Sequence, residues 1–264
     1  MGKLLLAQGY SVWGLRRDPS ELPYGFNRIT CDLANLGELK LGFNPDYVFF
    51  MPSAGKYDLE TYKATYTKGA ENLIKCLNYN KSFPKRIFYI SSTSVYTRND
   101  GGSVNENSPI ENITPQAACL INGENLLLNN QFPLTVIRFS GIYGPGRKHL
   151  VNQIIEGKLK RNLYPLYVNS IHQEDCAHLL KFLMLLPNPR NLYIGVDSEP
   201  SLKNDIIEWL SNQYNVQLPE IVENQFAVEQ KTRRGNKRCS NQLILSEGYK
   251  FIYPSFRDGY AITP

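Results

Sequence analysis

Short apolar segments alternate along this chain with segments in which apolar residues recur every three or four positions. In the clearest apolar segment, residues 87–90 follow Arg86 and change abruptly into Ser-Ser-Thr-Ser over residues 91–94. Such a run predicts a strand buried on both faces, which we extend to residue 96. Hydroxyl groups at its carboxyl end would lie where open α/β sheets bind ligands, although serine and threonine also commonly end strands.

The same alternation continues on both sides of this segment. Strands that alternate with helices predict an α/β fold with a doubly wound, mostly parallel sheet of the Rossmann type. The pattern loosens after about residue 147, so a smaller α+β lobe is expected there. Predicted strands cover residues 10–15, 26–31, 46–51, 134–139 and 191–196. Predicted helices cover residues 3–8, 59–77, 116–129, 148–156, 173–185 and 201–214.

Composition limits the classes of protein to which this chain could belong. No run in the 264 residues approaches the roughly 20 apolar residues of a membrane helix, and no secretory leader is recognisable. The five cysteines are odd in number, scattered and free of Cys-x-x-Cys pairs, so neither a disulfide framework nor a zinc site is predicted. We therefore expect a cytoplasmic protein with no membrane association and no metal.

A basic run near the C-terminus contributes much of the net charge of +5. Such a run could contact phosphate, on nucleic acid or on a nucleotide-linked substrate, or it could be a solvated loop. No aromatic residues are interleaved with it and no nucleic-acid-binding module is recognisable, so we expect a solvated loop and no nucleic-acid partner. Its members are Lys231, Arg233, Arg234, Lys237 and Arg238.

Six stretches of the chain match one known family in the same order and at similar separations. Two of them read Ile90-Ser-Ser-Thr-Ser-Val-Tyr96 and Arg138-Phe-Ser-Gly-Ile-Tyr143-Gly-Pro-Gly146. On these residues the chain resembles the extended short-chain dehydrogenase/reductase family, which contains NAD-dependent sugar epimerases and dehydratases. The other matching stretches are residues 9–16, 32–33, 69–73 and 171–177.

The resemblance implies an NAD(P)-binding Rossmann domain over residues 1–146 and a smaller substrate lobe over residues 147–264, with the two interleaved. It implies an oxidoreductase or epimerase that acts on a nucleotide-sugar-like or other hydroxylated small molecule. Assembly as a homodimer is a further expectation. A fold of this kind does not by itself imply chemistry.

The first departure from the family is at the N-terminus. Members open with a strand and a Gly-x-x-Gly-x-x-Gly turn, whose backbone amides cradle the cofactor pyrophosphate. This chain begins inside the following helix, so we expect an N-terminally truncated or mis-started sequence, a sheet without its usual first strand, and impaired pyrophosphate binding. The glycines at 141, 144 and 146 do not replace the turn, because they follow a later strand and flank Pro145.

The second departure concerns the family's Tyr-x-x-x-Lys dyad, in which the lysine lowers the pKa of the tyrosine. If Glu124 is taken as the anchor, Gln116 stands at the tyrosine position and Leu120 at the lysine position. None of the 17 tyrosines has a lysine four residues later. The dyad is therefore absent.

Two candidate catalytic residues remain. Ser92 occupies the position of the family's catalytic serine or threonine, four residues before Tyr96. There it would bond a substrate oxygen, or it would only bond its own backbone. If chemistry occurs, Ser92, Tyr96 or a group on the substrate has to carry the proton. Lys56 is a candidate to replace the lysine of the missing dyad, although a solvated side chain is the simpler interpretation.

Arg16 and Arg17 follow the second strand of the family, where arginine suits the 2′-phosphate of NADP and an acidic residue would suit NAD. A surface arginine pair is the alternative. The resemblance places Asp32 and Leu33 beside the adenine, although Asp32 could equally be a turn residue. The remaining cofactor candidates are Pro52, Ser53, Ala54, Ser91 and Tyr143.

The substrate candidates come from the strand end and from the second half of the chain. They are Thr93, Gly144, Pro145, Arg147 and His172. For His172 and Asp175, a structural arrangement is favoured over a catalytic one, and the spacing does not suggest a metal.

The sequence leaves three hypotheses. The first is an NADP- or NAD-dependent enzyme of the epimerase/dehydratase type, the second is a non-catalytic dinucleotide-binding sensor or scaffold, and the third is an inactive fragment. Catalytic turnover would support the first hypothesis, cofactor binding without turnover the second, and absence of cofactor binding the third.

Overall fold

The computed structural model describes residues 1–110, 114–222 and 235–261, and the chain divides into two compact units that interleave along the sequence. Unit 1 comprises Met1–Val95, Thr114–Ile137 and Ala177–Tyr193. Unit 2 comprises Tyr96–Ile113, Arg138–Cys176 and Ile194–Pro264. The domain boundary expected after residue 146 stays a prediction.

The strands of the described residues follow one another in chain order, and most of those in the second half of the chain are very short. They are β1 (Trp13–Arg16), β2 (Asn27–Thr30), β3 (Tyr47–Phe50), β4 (Arg86–Ser92), β5 (Ser103–Val104), β6 (Leu134–Phe139), β7 (Gly141–Tyr143), β8 (Arg161–Asn162), β9 (Tyr167–Val168), β10 (Ser170–His172), β11 (Leu192–Gly195), β12 (Ser201–Leu202), β13 (Ile221–Val222) and β14 (Arg238–Cys239).

The helices are α1 (Gly2–Leu6), α2 (Leu59–Tyr62), α3 (Gly69–Tyr79), α4 (Pro115–Leu128), α5 (His149–Ile155), α6 (Gln173–Leu185), α7 (Lys203–Gln213), α8 (Gln242–Ser246) and α9 (Phe256–Ala261). A π-helical turn, Lys63–Lys68, joins α2 to α3, and short 3-10 helices cover Leu33–Glu38 and Thr93–Val95. The helix predicted from residue 59 to 77 is therefore present, but with a π-helical turn inside it.

The main sheet has four strands in the order β11-β6-β4-β3. Strand β4 runs parallel to β3, with Arg86 opposite Tyr47, and its residues 87–89 are completely buried. The buried strand predicted from the apolar run is thus confirmed. It ends at Ser92 and not at residue 96, because the chain turns there into the 3-10 helix Thr93–Val95.

Strands β1 and β2 form a separate parallel pair, in which Trp13 lies opposite Asn27. Within the described residues no ladder joins this pair to β3 or to the other strands of the main sheet.

The core of unit 1 packs α3 and α4 against the sheet. Phe50 stacks on Tyr89 with ring centroids 5.6 Å apart, and burial of such rings dominates the hydrophobic contribution to stability. The completely or nearly completely buried members of this core are Leu36, Phe50, Ala70, Leu73, Cys76, Leu77, Ile87, Tyr89, Leu127, Phe132, Leu134 and Val136.

Helix α4 approaches its neighbours most closely at Gly123. A Cβ atom at this position would lie 2.7 Å from the carbonyl oxygen of Tyr66 and 2.7 Å from the hydroxyl oxygen of Tyr89. Both distances are too short for a carbon atom, so the absence of a side chain allows α4 to contact the π-helical turn and β4 together.

Unit 2 has a smaller core in which α5, α7 and α9 pack together, with Trp209 edge-on to Phe256. Its buried members are Val151, Ile154, Ile206, Ile207, Leu210 and Phe256. The two- and three-residue strands of this unit were not predicted, because segments this short show no periodicity.

The basic run is only partly described. Lys231, Arg233 and Arg234 lie outside the described residues. The expectation of a solvated loop is wrong for Lys237, which is only 3% exposed, and burial lowers the pKa of its ammonium group. Arg238 is exposed, and its guanidinium lies 5.2 Å from the ring centroid of Tyr167.

Membrane-spanning helices and metal-binding clusters are both absent from the part of the chain that the structure describes. None of its helices combines the length and the apolar character needed to cross a membrane. It also contains no group of three or more histidine, cysteine, aspartate or glutamate side chains that could hold a metal ion.

The contact at Gly123 predicts the effect of one added methyl group. In a helix interior, alanine normally stabilises relative to glycine by about 1 kcal/mol. Because the methyl group of Gly123→Ala would meet a backbone carbonyl, we expect instead a net loss of about 1–3 kcal/mol in the free energy of unfolding. Urea denaturation measures this.

Gly55→Ala is the matched control, since nothing lies within 4 Å of its Cβ position and its φ is ordinary. This control should be neutral or slightly stabilising. If Gly123→Ala were as stable as the unchanged protein, the close contact would be contradicted.

Candidate functional site

At the carboxyl end of β4, in unit 1, a buried hydrogen bond joins the sheet to α4. The Ser91 hydroxyl donates to Oε1 of Glu124 across 2.5 Å, and both side chains are almost inaccessible to water. A bond this short to a carboxylate oxygen is charge-assisted and strong. It fixes which residues of α4 lie beside the end of the strand.

Because Glu124 is fixed beside Ser91, helix geometry determines where the two residues at the positions of the missing dyad lie. Leu120 lies about one turn before Glu124 and is buried, and Gln116 lies about one turn earlier and is partly exposed. Neither an aliphatic side chain nor a neutral amide can exchange a proton near neutral pH. The helix therefore supplies no acid or base at these two positions.

The hydroxyl groups that follow Ser91 take part in a local turn. The Ser92 oxygen accepts a hydrogen bond from the backbone amide of Ser94 at 3.1 Å, while Thr93 is buried. This is the backbone contact expected of a serine that ends a strand. Ser92 itself is partly exposed.

Two of the candidates that follow β1 and β2 form an ion pair. Nε of Arg17 lies 3.8 Å from Oδ2 of Asp32, while Oδ1 of Asp32 accepts from the amide of Ala34 at 2.9 Å. Asp32 thus caps the following 3-10 helix, as a turn residue would. Arg16 is exposed, and Leu33 packs against the core of unit 1.

Pro52, Ser53 and Ala54 directly follow β3, where ligands of parallel sheets bind. The backbone of Ala54 lies close enough to the phenol of Tyr66, a residue that sequence reasoning did not select, to affect its pKa. Burial raises the pKa of Tyr66, and the Ala54 amide partly offsets this rise.

In unit 2, Tyr96 is only 1% exposed. Nη1 of Arg138 donates to the Tyr96 hydroxyl oxygen at 2.8 Å, and the guanidinium carbon lies 4.9 Å from the ring centroid. The phenol of Tyr96 therefore accepts a buried, charge-assisted hydrogen bond from Arg138. The guanidinium also makes a cation–π contact with the Tyr96 ring.

His172 lies at the centre of a group of aromatic rings in unit 2. Its ring centroid is 5.3 Å from that of Tyr143 and 3.9 Å from that of Tyr253. A Cβ on Gly144, whose φ is +131°, would lie 2.8 Å from Nε2 of His172. Gly144 is therefore required both by its conformation and by this close approach. The neighbouring Pro145 and Arg147 are exposed.

The protonation of His172 follows from its contacts. Nδ1 accepts a hydrogen bond from the amide of Glu174 at 3.3 Å, which leaves the proton on Nε2. Burial lowers the pKa of His172, although nearby carboxylates oppose this shift. Tyr253 donates to Oε2 of Glu174 at 2.6 Å. His172 is therefore a neutral ring packed among aromatic side chains.

Asp175 has a structural arrangement. Its carboxylate accepts from the Tyr249 hydroxyl at 2.8 Å and from the amides of Ile252 and Tyr253 at 2.9 Å each. Three donors satisfy this completely buried carboxyl group and hold residues 249–253 against the start of α6.

Asp197, just after β11, has the opposite environment. It is 1% exposed, Oδ1 accepts one bond from the Glu199 amide at 3.2 Å, and Oδ2 has no partner among the described residues. Burial raises the pKa of Asp197 to about 8, and the nearby carboxylates Glu199, Asp175 and Asp258 add to this rise. Asp197 is therefore a neutral acid at pH 7.

A family model decides the relationship of the chain to known proteins. The model of the NAD dependent epimerase/dehydratase family matches residues 2–185. The chain belongs to this family. The resemblance found in the sequence is thereby confirmed. No curated protein matches the chain.

Solved structures agree with an epimerase/dehydratase fold. A protein from Methylobacillus flagellatus, provisionally assigned as an NAD-dependent epimerase/dehydratase, is 26% identical, with a TM-score of 0.78 over 98% of this chain and 90% of that chain.

Two more distant structures were solved with ligands and share the fold. UDP-glucuronic acid 4-epimerase from Bacillus cereus, in complex with UDP-glucuronic acid and NAD, is 17% identical, with a TM-score of 0.80 over 98% and 91% of the two chains. The human epimerase family protein SDR39U1, solved with NADPH, is 16% identical, with a TM-score of 0.79 over 97% and 92%.

Three residues of this epimerase/dehydratase chain stand out in the structure although sequence reasoning did not name them as site residues. Tyr66 lies inside a helical pattern, Asp197 follows a strand without a recognised motif, and Arg138 opens a matching stretch. Asp197 could have been suspected, because an acidic residue directly after a buried strand is placed at a ligand-binding edge.

The protonated state of Asp197 predicts a pH dependence of stability. Below about pH 4 its carboxyl is protonated in both the folded and the unfolded chain. Between about pH 4 and 8 the unfolded carboxyl ionises while the folded one keeps its proton, so the free energy of unfolding falls as the pH rises. Asp197→Asn removes this loss and keeps an acceptor for the Glu199 amide.

We expect Asp197→Asn to match the unchanged protein near pH 4 and to exceed it in stability near pH 8 by on the order of a few kcal/mol. Thermal and urea denaturation across this pH range measure the difference. Asp205→Asn, on an exposed position of α7, is the control and should show no such trend. An Asp197→Asn advantage that does not grow with pH would contradict a neutral Asp197.

Proposed function

We propose that this chain binds a nicotinamide dinucleotide and acts as an oxidoreductase or epimerase on a hydroxylated small molecule. The observation that carries this is the carboxyl edge of the sheet in unit 1, where the neighbouring parallel strands β3 and β4 end at Phe50 and Ser92. Membership of the NAD dependent epimerase/dehydratase family supports the same cofactor class.

The residues of unit 1 fit the adenosine half of such a cofactor. Arg16 and Arg17 offer two exposed guanidinium groups for a 2′-phosphate, and Asp32 and Leu33 lie where the adenine is expected. The described residues include no Gly-rich turn between a first strand and α1, so fewer amides are available for the pyrophosphate. We therefore expect the dinucleotide to bind with reduced affinity, and we expect NADP to be preferred to NAD.

When bound, the nicotinamide accepts or donates the hydride. The chain itself has to position the substrate and move a proton. Because Leu120 and Gln116 stand at the dyad positions, that proton has to be carried by Ser92, by Tyr96 or by a group on the substrate. Tyr143, Gly144 and Arg147 are the proposed pocket residues of unit 2.

For the substrate, we propose a nucleotide sugar or a related hydroxylated molecule. A structural neighbour carrying UDP-glucuronic acid supports this class. On this chain, Arg147 offers an exposed cation for a substrate phosphate, while Thr93 and His172 are the proposed polar contacts. A homodimer stays a prediction.

A second candidate function is dinucleotide binding without turnover. The buried Leu120 at the lysine position favours it, since no charge is available there to lower the pKa of a partner hydroxyl. Calorimetric binding of NADPH and NADH, followed by NADPH oxidation with a panel of carbonyl substrates, distinguishes the two. Binding with turnover supports the enzyme, whereas binding alone supports the sensor.

The arginine pair predicts the choice of cofactor. In the double variant Arg16→Ala, Arg17→Ala, we expect about a tenfold loss of NADPH affinity, because charge-assisted bonds to the 2′-phosphate disappear. NADH affinity should stay within about twofold. Lys40→Ala, an exposed cation of unit 1, is the control. An equal loss for both cofactors, or no loss, would refute a role in recognising the 2′-phosphate.

A further inference from the structure

A polar cleft in unit 2 is lined by residues that follow β11 and by residues from β14 to the start of α8. It has a volume of about 380 Å³, which is in the range of sites that bind small molecules. All of its lining residues belong to unit 2, so the cleft is complete within that unit. Those that carry the argument are Asp197, Ser198, Arg238 and Asn241.

The walls of the cleft are fixed by hydrogen bonds. Nδ2 of Asn241 donates to the hydroxyl oxygen of Ser198 at 2.9 Å and to the carbonyl of Val196 at 3.3 Å. Nε of Arg238 donates to the carbonyl of Gly101 at 2.9 Å, while the Arg238 residue as a whole stays exposed. The cleft is therefore formed without a ligand, as most small-molecule sites are.

Asp197 brings an unsatisfied oxygen to this cleft. Its backbone amide donates to the carbonyl of Ser170 at 2.7 Å, and its Oδ1 accepts from the Glu199 amide, so its position is fixed. Its Oδ2 is buried and has no partner among the described residues. Buried polar atoms without a partner are rare and costly. A ligand that donated a hydrogen bond to Oδ2 would remove this cost.

The charges around Asp197 favour a cationic donor. Besides burial, the carboxyl groups of Glu199, Asp175 and Asp258 raise the pKa of Asp197. Four carboxyl groups thus stand against two guanidinium groups, and such a surplus attracts a cation. The titratable and charged groups that surround Asp197 or share its cleft are Tyr143 on β7, Asp175 on α6, Glu199 after β11, Arg238 on β14, and Arg257 and Asp258 on α9, with Arg257 paired to Glu199.

We propose that this cleft binds a small zwitterion, whose ammonium group donates to Oδ2 of Asp197 and whose carboxylate or phosphate group pairs with Arg238. An ammonium group would satisfy the buried oxygen with a charge-assisted hydrogen bond. A guanidinium such as that of Arg238 is suited to carboxylate and phosphate groups. The site lies within unit 2 and does not rest on the proposed dinucleotide binding, so its test needs no cofactor.

Binding of the ammonium group is linked to the loss of a proton. Asp197 has a pKa of about 8 in the free protein and is protonated at pH 7, so it has to release that proton to the solvent to pair with a cation. The affinity should therefore rise by about tenfold per unit of pH below the pKa, which is about fiftyfold from pH 6 to pH 8. Above the pKa it should level off, because Asp197 is then already ionised.

Titration calorimetry with glycine, 4-aminobutyrate and phosphoethanolamine tests the proposal. The titrations are made at pH 7 in PIPES and in HEPES, whose different heats of ionisation reveal how many protons are released. We expect at least one of these zwitterions to bind with a dissociation constant below about 1 mM and to release about one proton. Failure of all three to bind, or binding without proton release, overturns the proposal. Binding of glycerol but of no zwitterion would identify a site for hydroxyl groups and would also overturn it.

Variants of the two charged residues separate the two ends of the ligand. Asp197→Asn keeps the shape of the side chain, and we expect it to weaken binding by about tenfold or more and to abolish the proton release. The control Asp205→Asn, on an exposed position of α7, should change neither. Equal binding by Asp197→Asn overturns the proposal.

Arg238→Gln should weaken binding of 4-aminobutyrate by about tenfold and leave binding of propylamine, which has no acid group, within about twofold. An equal effect on both ligands would refute the pairing of Arg238 with the acid group. The proton release is measured on the unchanged protein, so it tests the pairing of Asp197 even if a variant fails to fold.

Discussion

The arrangement of unit 1 depends on the contact between α4 and the end of β4. A buried carboxylate is tolerated only when its oxygens are hydrogen-bonded, and the Ser91 hydroxyl bonds Glu124 across 2.5 Å. Sliding α4 by one residue would break this bond and separate the buried Glu124 carboxyl from the Ser91 donor. Gly123, one residue earlier, then lets the carbonyl of Tyr66 approach the helix, so strand, helix and π-helical turn are fixed together.

The same contact fixes the two dyad positions in the structure, so the absence of the family dyad does not depend on how the sequences are aligned. Because Glu124 is fixed by Ser91, Leu120 and Gln116 can occupy only the positions one and two turns earlier on α4. Leu120 is 3% exposed, so an ammonium group at this depth would lose its hydration.

Much of the fold could be predicted from sequence because the strands of the main sheet are continuous apolar runs, as β4 shows. The π-helical turn at Lys63–Lys68 could not, since it depends on contacts with α4 that no local pattern encodes. The burial of Lys237 was missed for a related reason, because a basic run is ordinarily solvated and only tertiary packing decides otherwise. The position of Ser91 and Ser92 at the end of β4 could be predicted from the apolar run, whereas the position of Tyr66 depends on the π-helical turn.

Two aspartates of unit 2 show how far environment outweighs residue type. Asp175 receives three hydrogen bonds, whereas Asp197 receives one, from the Glu199 amide. Both are almost completely buried, so neither charge is stabilised by water. With one donor and a buried environment, Asp197 retains its proton at neutral pH. A carboxyl that keeps its proton at neutral pH lowers the stability of the fold, and burial without donors, rather than any sequence motif, is what makes Asp197 such a group.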